Sequence, residues 1–374
     1  MTEPFIVRAL LKGHLQWLVD QGHEVTVMCR AGEHLQWILD QGVNVKEINI
    51  CRRPSIFLDL KCLFEIIIFL RQYKPNIIHY STPKSSLLTP LAVFLGRVRC
   101  KSVYTVRGRV YENMTGIKRF VFVTWEKFSC WIADKVIFIS KEMRDDFISN
   151  GVVCSVDAVL PGMGSSNGFD LTIFRQPSIE EIITSKQYFG VSHFDKVLVY
   201  AGRLAVDKGI EDLLDVFKIL SSKDPSFGLL LIGEPEVDIK KLMDQFNIDH
   251  SRVKIHNWTP DITAGFWASD VMLFPSFREG FGNVCVESIL CGVPVVCYDV
   301  IGCRESVNDQ VSGCIVPFRD ISSMAEAVLM LFDDASMRAK MVKDGRRWAS
   351  ANFSQKIIWT SILTTYEELL GAHA

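Results

Sequence analysis

Two carboxylates, Glu279 and Glu287, stand in the segment Phe274 to Glu287, F-P-S-F-R-E-G-F-G-N-V-C-V-E. The pattern predicts a strand ending at Pro275, a loop holding Glu279 among Gly280, Phe281 and Gly282, and an apolar helix opening near Asn283. The two carboxylates are separated by about two helical turns. One therefore falls at the helix mouth and the other on its first turns, spaced for two parts of an extended ligand rather than for one proton. Carboxylates accept well from vicinal hydroxyls. The amides of such a loop, at the positive end of a helix, suit an anionic or polyhydroxylated ligand. Taken alone, the segment also reads as a capped helix with two solvated glutamates.

A second loop supplies cations. The strand Lys196 to Ala201 is followed by Gly202-Arg203-Leu204-Ala205-Val206-Asp207-Lys208-Gly209, then by a helix with apolar residues at 210, 213, 214, 217 and 220. Arg203 and Lys208 thus fall at the carboxyl end of a strand, where open α/β sheets bind ligands. A planar guanidinium beside a mobile ammonium is a combination that grips a diphosphate. Singly, each is an ordinary solvated loop cation.

These loops need a scaffold, and the rest of the chain provides the pattern for one. Short β-branched runs alternate with helical ones: Glu24 to Cys29, Val45 to Ile50, Asn76 to Tyr80, Ser102 to Val106, Lys135 to Ile139 and Ala158 to Leu160, then Lys196 to Ala201, Phe227 to Ile232, Val253 to His256, Val271 to Pro275, Val293 to Tyr298 and Cys314 to Pro317. This is an α/β chain of two tandem Rossmann-like, doubly wound parallel-sheet domains with a cleft between them. Its 374 residues suit two cores better than one. The expected boundaries are 1–160 for the first domain, 161–175 for a hinge carrying the small-residue run from Pro161 to Gly168, and 176–350 for the second. A final segment, 351–374, has a helical apolar face from Gln355 to Leu370 that packs back on the first domain. The nonapeptide His14 to Gly22 recurs as His34 to Gly42, and its histidines and tryptophans read as helix-face packing.

Composition removes several classes. The net charge of −2 argues against a nucleic-acid binder. Residues 1–160 carry +6 and the remainder −8, so the halves meet different partners. Eleven cysteines without a signal peptide indicate a reducing cytosol, and Cys285, Cys291, Cys297 and Cys303 form no metal-binding knuckle. The runs Leu63 to Leu70 and Phe120 to Ile139 are broken by charge and do not make membrane spans.

Together, G-R-L-x-x-x-K-G at 202–209 and E-G-F-G-N-V-x-x-E at 279–287 resemble family 4 glycosyltransferases of the GT-B fold. Asn167-Gly168-Phe169-Asp170, Gly292 to Val296 and Gly302-Cys303-Arg304-Glu305 support the resemblance. Ser81-Thr82-Pro83-Lys84-Ser85 and Thr105-Val106-Arg107-Gly108 extend it towards the transferases that build bacterial capsule, O-antigen and other lipid-linked glycans. The resemblance implies a retaining, metal-independent hexosyltransferase with no cofactor. It would move a sugar from a nucleotide sugar, a UDP-sugar, to a lipid-linked saccharide in surface polysaccharide synthesis. Gly202, Arg203, Lys208, Glu279, Gly280, Phe281, Gly282, Asn283 and Glu287 would form the donor site. Arg203 and Lys208 would bind the diphosphate, Glu279 the donor-sugar hydroxyls and Glu287 the ribose. Catalysis would rest on Arg203, Lys208 and Glu279, the last as a positioning and electrostatic residue rather than nucleophile or base. The chain has no Asp-x-Asp, in keeping with a leaving group neutralised by side chains.

Two departures from the family stand out. Its usual first strand is missing: the chain begins Met1-Thr2-Glu3-Pro4-Phe5-Ile6 and passes into a helix, either because the start is misassigned or because a central sheet position is unfilled. Many relatives also carry His where this chain has Arg107, so no first-domain His role transfers, and Arg107 becomes a candidate for an acceptor phosphate. Thr82, Lys84 and Arg109 join it as acceptor candidates. Between Arg97 and Lys127, eight cations face only Glu112 and Glu126, interleaved with aromatics such as Tyr104, Tyr111, Phe120 and Trp125. Such a face suits anionic lipid headgroups on the cytoplasmic side of the plasma membrane, and equally suits solvated cations over an aromatic core. A nucleotide-sugar epimerase and a non-catalytic sugar-nucleotide-binding module are the rival readings on the same scaffold.

Overall fold

The computed structural model describes residues 1–51, 55–109, 111, 114–257, 259 and 261–371; Glu112 of the basic stretch lies outside them. The chain divides into two compact units, Met1–Gly168 with the C-terminal segment from Gln355, and Phe169–Ser354.

In the first unit the order is α1 (Pro4–Leu11), α2 (His14–Asp20), β1 (Thr26–Cys29), α3 (Leu35–Leu39), β2 (Asn44–Glu47), α4 (Ile56–Tyr73), β3 (Ile77–Tyr80), α5 (Pro83–Gly96), β4 (Lys101–Val106), α6 (Gly116–Ile132), β5 (Lys135–Phe138), α7 (Lys141–Ser149) and β6 (Ala158–Val159). All pairings are parallel, in two sheets, β1-β2 and β3-β4-β5-β6. In place of a strand opening the chain, Met1 and Thr2 lie along the end of β1: the Met1 amino group donates to the Met28 carbonyl at 3.0 Å and the Arg30 amide to the Thr2 carbonyl at 3.1 Å. Both copies of the nonapeptide close a glutamine-to-aspartate hydrogen bond of 2.9 Å, Gln16 to Asp20 and Gln36 to Asp40.

The second unit contains α8 (Ile179–Tyr188), β7 (Lys196–Ala201), α9 (Ile210–Lys223), β8 (Phe227–Ile232), α10 (Ile239–Phe246), β9 (Val253–His256), α11 (Thr263–Trp267), β10 (Val271–Phe274), α12 (Asn283–Leu290), β11 (Val295–Tyr298), α13 (Cys303–Ser306), β12 (Gly313–Val316), α14 (Ile321–Asp333) and α15 (Ala335–Phe353). Its six strands form one parallel sheet in the order β9-β8-β7-β10-β11-β12. Every residue of β8, β10 and β11 is buried, which is why these strands are continuous apolar runs rather than alternating ones. The four cysteines at six-residue spacing are buried and free, filling this core as small apolar side chains.

The last helix, α16 (Gln355–Leu370), belongs to the first unit, where Ile358, Trp359 and Ile362 pack on Val103 of β4 and Ile137 of β5. His14 is buried and stacks on Trp359 with ring centroids 5.4 Å apart, the packing role expected of it.

Candidate active site

In the second sheet the chain winds from β7 out to β9 in one direction, then from β10 out to β12 in the other. The reversal between neighbours β7 and β10 is a topological switch point, the place where open α/β sheets bind ligands. The two loops singled out by their chemistry are those two. They touch closely. Gly209, at φ +72°, would place a Cβ 1.9 Å from the Pro275 carbonyl oxygen, so only glycine lets the β7 loop lie against the β10 loop. The Phe277 amide donates to the Asp207 carbonyl at 3.2 Å.

Lys208 and Glu279 meet there. The Lys208 ammonium donates to Glu279 Oε1 at 2.7 Å, and Ser276 Oγ donates to the same oxygen at 2.8 Å. Both charged side chains are 17% exposed, so the pair is partly desolvated yet open on one side. Arg203 is held otherwise: it donates to Glu236 at 2.7 Å and to Asp207 at 3.1 Å, both pairs roughly half-exposed. The loop following β8 supplies Glu236, and it is locked to the Arg203 loop by Leu204 N–H to the Glu234 carbonyl, 2.9 Å, and Glu236 N–H to the Leu204 carbonyl, 3.0 Å.

The helix α12 opens on Gly282 with no side-chain cap and no acid in its first turn, which leaves the positive end of its dipole uncompensated. Phe281 is buried and anchors the loop. The Gly282 amide donates to the Gly302 carbonyl at 3.2 Å. Gly280 and Asn283 are half-buried at the rim. Glu287 lies one stretch further along α12, half-buried, with no hydrogen-bond or ion-pair partner among the described residues. Burial without a counter-charge pushes its carboxyl up to about 7. An unpaired acceptor of that kind is available to a ligand's hydroxyl groups.

The first-unit candidates divide differently. Thr82 caps α5: its hydroxyl and that of Ser85 are 2.8 Å apart in a buried capping box. The Lys84 ammonium is buried against Asp59 of α4. Both side chains are thus engaged inside the unit. Arg109 pairs with Asp146 at 2.9 Å. Arg107 donates to the Ser166 carbonyl at 3.1 Å and to the Ser166 hydroxyl, while its Nε is buried without a partner; burial draws its pKa down to about 10. His14 and His79 lie in its field and are held neutral, at about 4 and about 3, by burial first and by the Arg107 charge second. The structure therefore does not bring Thr82, Lys84 and Arg109 together with Arg107 as one set of free groups.

Comparison with known proteins decides the family. Residues 183–348 match the model for glycosyl transferases group 1, and residues 11–161 that for the glycosyl transferase 4-like domain. The capsular polysaccharide biosynthesis glycosyltransferase CapM of Staphylococcus aureus is 30% identical over 363 residues, 96% of this chain and 94% of that protein. This chain is a family 4 glycosyltransferase. A UDP-Gal:alpha-D-GlcNAc-diphosphoundecaprenol alpha-1,3-galactosyltransferase of Escherichia coli is 25% identical over 292 residues, 76% of this chain and 73% of that one. The GT-B fold is shared with HepE of Anabaena, solved in complex with UDP, at a TM-score of 0.79 and 21% identity over 96% of this chain and 97% of that one. It is shared too with a glycosyltransferase from Rickettsia africae, TM-score 0.81 and 18% identity over 97% and 96% of the two chains.

Within the glycosyltransferase, several site residues escape the motif reading. Ser276 ties Glu279 to the β10 loop, and Glu236 with Asp207 occupies Arg203. Gly233, at φ +150°, would place a Cβ 1.8 Å from the Gly202 carbonyl oxygen, so the loops after β7 and β8 also depend on a glycine contact. The signal for the Glu236 loop was present as Gly233-Glu234-Pro235-Glu236 directly after a strand; what one strand's pattern lacks is which strand lies beside it.

Proposed function

We propose that this glycosyltransferase moves a sugar from a UDP-sugar to a lipid-linked saccharide in capsule, O-antigen or related polysaccharide synthesis, with retention of configuration and without a metal ion. The observation that carries the reading is the contact of Lys208 with Glu279 at the switch point. A lysine has three donors. With one on Glu279 and one on the Arg278 carbonyl at 3.4 Å, the ammonium retains a third for a phosphate oxygen while Glu279 keeps its second oxygen for a sugar hydroxyl. Arg203 joins by exchange: exposed ion pairs such as those with Asp207 and Glu236 are worth about 0–1 kcal/mol, less than a bidentate guanidinium–phosphate contact in a shielded site. The positive end of the α12 dipole would face the same anion, and the carboxylate of Glu287 would accept from the ribose diol.

In this scheme the bond from the anomeric carbon to the donor phosphate breaks as an oxocarbenium-like centre forms, and Arg203, Lys208 and the α12 dipole stabilise the leaving diphosphate. The acceptor hydroxyl enters on the face the phosphate leaves and gives its proton to a phosphate oxygen. Glu279 holds the sugar and contributes field; it forms no covalent bond. The UDP complex of HepE and the named donor and acceptor of the Escherichia coli relative support this choice of substrates. Arg107, with its orphaned Nε, remains the first-unit group suited to an acceptor phosphate.

The test is transfer from UDP-sugars to a diphosphate-linked acceptor glycan, with the anomer read by NMR and the reaction repeated in EDTA. The proposal expects an axial donor to give an axial product at an undiminished rate. Inversion, or loss of activity restored by a divalent ion, would overturn it.

A further inference from the structure

Helix α4 carries large apolar residues on its solvent side as well as on its core side. Cys62, Leu63, Ile66 and Leu70 are buried in the first unit's core, whereas Phe57, Leu60, Phe64 and Ile68, one helix face apart by three or four residues, look into solvent; Phe57 is 87% exposed. A helix hydrophobic all round is normally enclosed on all sides. The same exposure recurs on α6, where Ile117, Phe120 and Trp131 are 83%, 72% and 69% exposed. Helix α5 joins the two. Its Phe94, itself half-exposed, meets Phe128 and Trp131 of α6 at 6.1 Å, and its Gly96 carbonyl accepts from Arg71 of α4 at 2.8 Å. Exposed apolar side chains therefore stand on three helices packed side by side, α4 on α5 and α5 on α6, where ordinary soluble proteins scatter them singly.

Its charge is mainly positive. Lys61, Arg71, Arg97, Lys118, Arg119 and Lys127 are exposed on these helices or at their ends. Of the acids among the described residues of the three helices, Asp59 pairs with Lys84 and Glu126 accepts from the Tyr104 hydroxyl in a buried contact, whereas Glu65 stays at the surface, accepting from the Asn49 amide in an exposed hydrogen bond. A second copy of this face would set cations against cations. An anionic bilayer complements both features, apolar side chains entering the acyl boundary and cations meeting the headgroups.

We propose that the first unit seats this surface in an anionic leaflet, with α4 as a wedge and α6 as its cationic flank. This deepens the membrane-borne acceptor reading above and rests on it for its purpose. The test is co-sedimentation of the full chain with phosphatidylcholine vesicles, with and without phosphatidylglycerol, at low and high salt. The wild type should bind the anionic vesicles only. Phe57→Ser with Phe64→Ser should weaken partition by about tenfold or more, most visibly at high salt; Lys118→Glu with Arg119→Glu should weaken it mainly at low salt. Trp131 fluorescence should be quenched by brominated lipid and the quenching lost in Trp131→Phe. Both double variants should keep transfer to a short-chain, water-soluble acceptor, and lose it to a long-chain acceptor in vesicles. Absent binding by the wild type, unchanged binding by the α4 variant, or a dimer in light scattering that the α4 variant dissolves would overturn the proposal. Vesicle binding as expected, with no transfer in any format, would uphold the surface and sink the substrate reading instead.

Discussion

Lys208, Arg203 and Glu287 do separate work in the proposed transfer. Lys208→Ala removes a donor from the departing diphosphate, so turnover is expected to fall by about 10²–10³-fold while circular dichroism and melting stay near wild type. A variant with near-normal turnover would remove Lys208 from the mechanism. Glu287 gives a pH signature. Its folded pKa is raised to about 7 by burial, so its neutral form contributes stability below the ordinary carboxylate value, and that stability is lost as pH rises through about 7. In the proposed donor site it is the ionised form that accepts from the ribose. Donor affinity should therefore climb as pH rises towards 8, with proton release on binding near neutrality by calorimetry in buffers of different ionisation enthalpy. Glu287→Gln should abolish the proton release and bind weakly at every pH.

At the element scale, function depends on how closely loops from neighbouring strands approach. Gly209 sits in the left-handed region against the Pro275 carbonyl. Gly209→Ala should lower the melting temperature by roughly 4 °C or more and cut activity with it, because the strain lands where Lys208 meets Glu279. A melting curve that does not move would contradict that contact. The strands and these loops were legible in sequence because a buried parallel strand is an uninterrupted apolar run, and the glycines and cations directly follow it. Less was legible in the first unit. Thr82 and Lys84 carry ligand-binding residue types, yet their side chains serve a helix cap and an ion pair with Asp59, partners that spacing does not reveal. The exposed face of α4 was hidden for a related reason: an apolar run in sequence says nothing about which of its sides remains uncovered.

For the whole molecule, the split of charge between the halves finds a physical reading in cationic helices of the first unit and in a second half where acids outnumber cations while Arg203 and Lys208 stand at the switch point. The proposed donor site at the switch point holds its ligand through side chains. Titration of UDP into wild type, Lys208→Ala and Arg203→Ala, each in EDTA, tests it most directly. The wild type should bind without metal and each variant should weaken by about tenfold or more; equal affinity in all three, or wild-type binding that appears only with a divalent ion, would contradict this donor site.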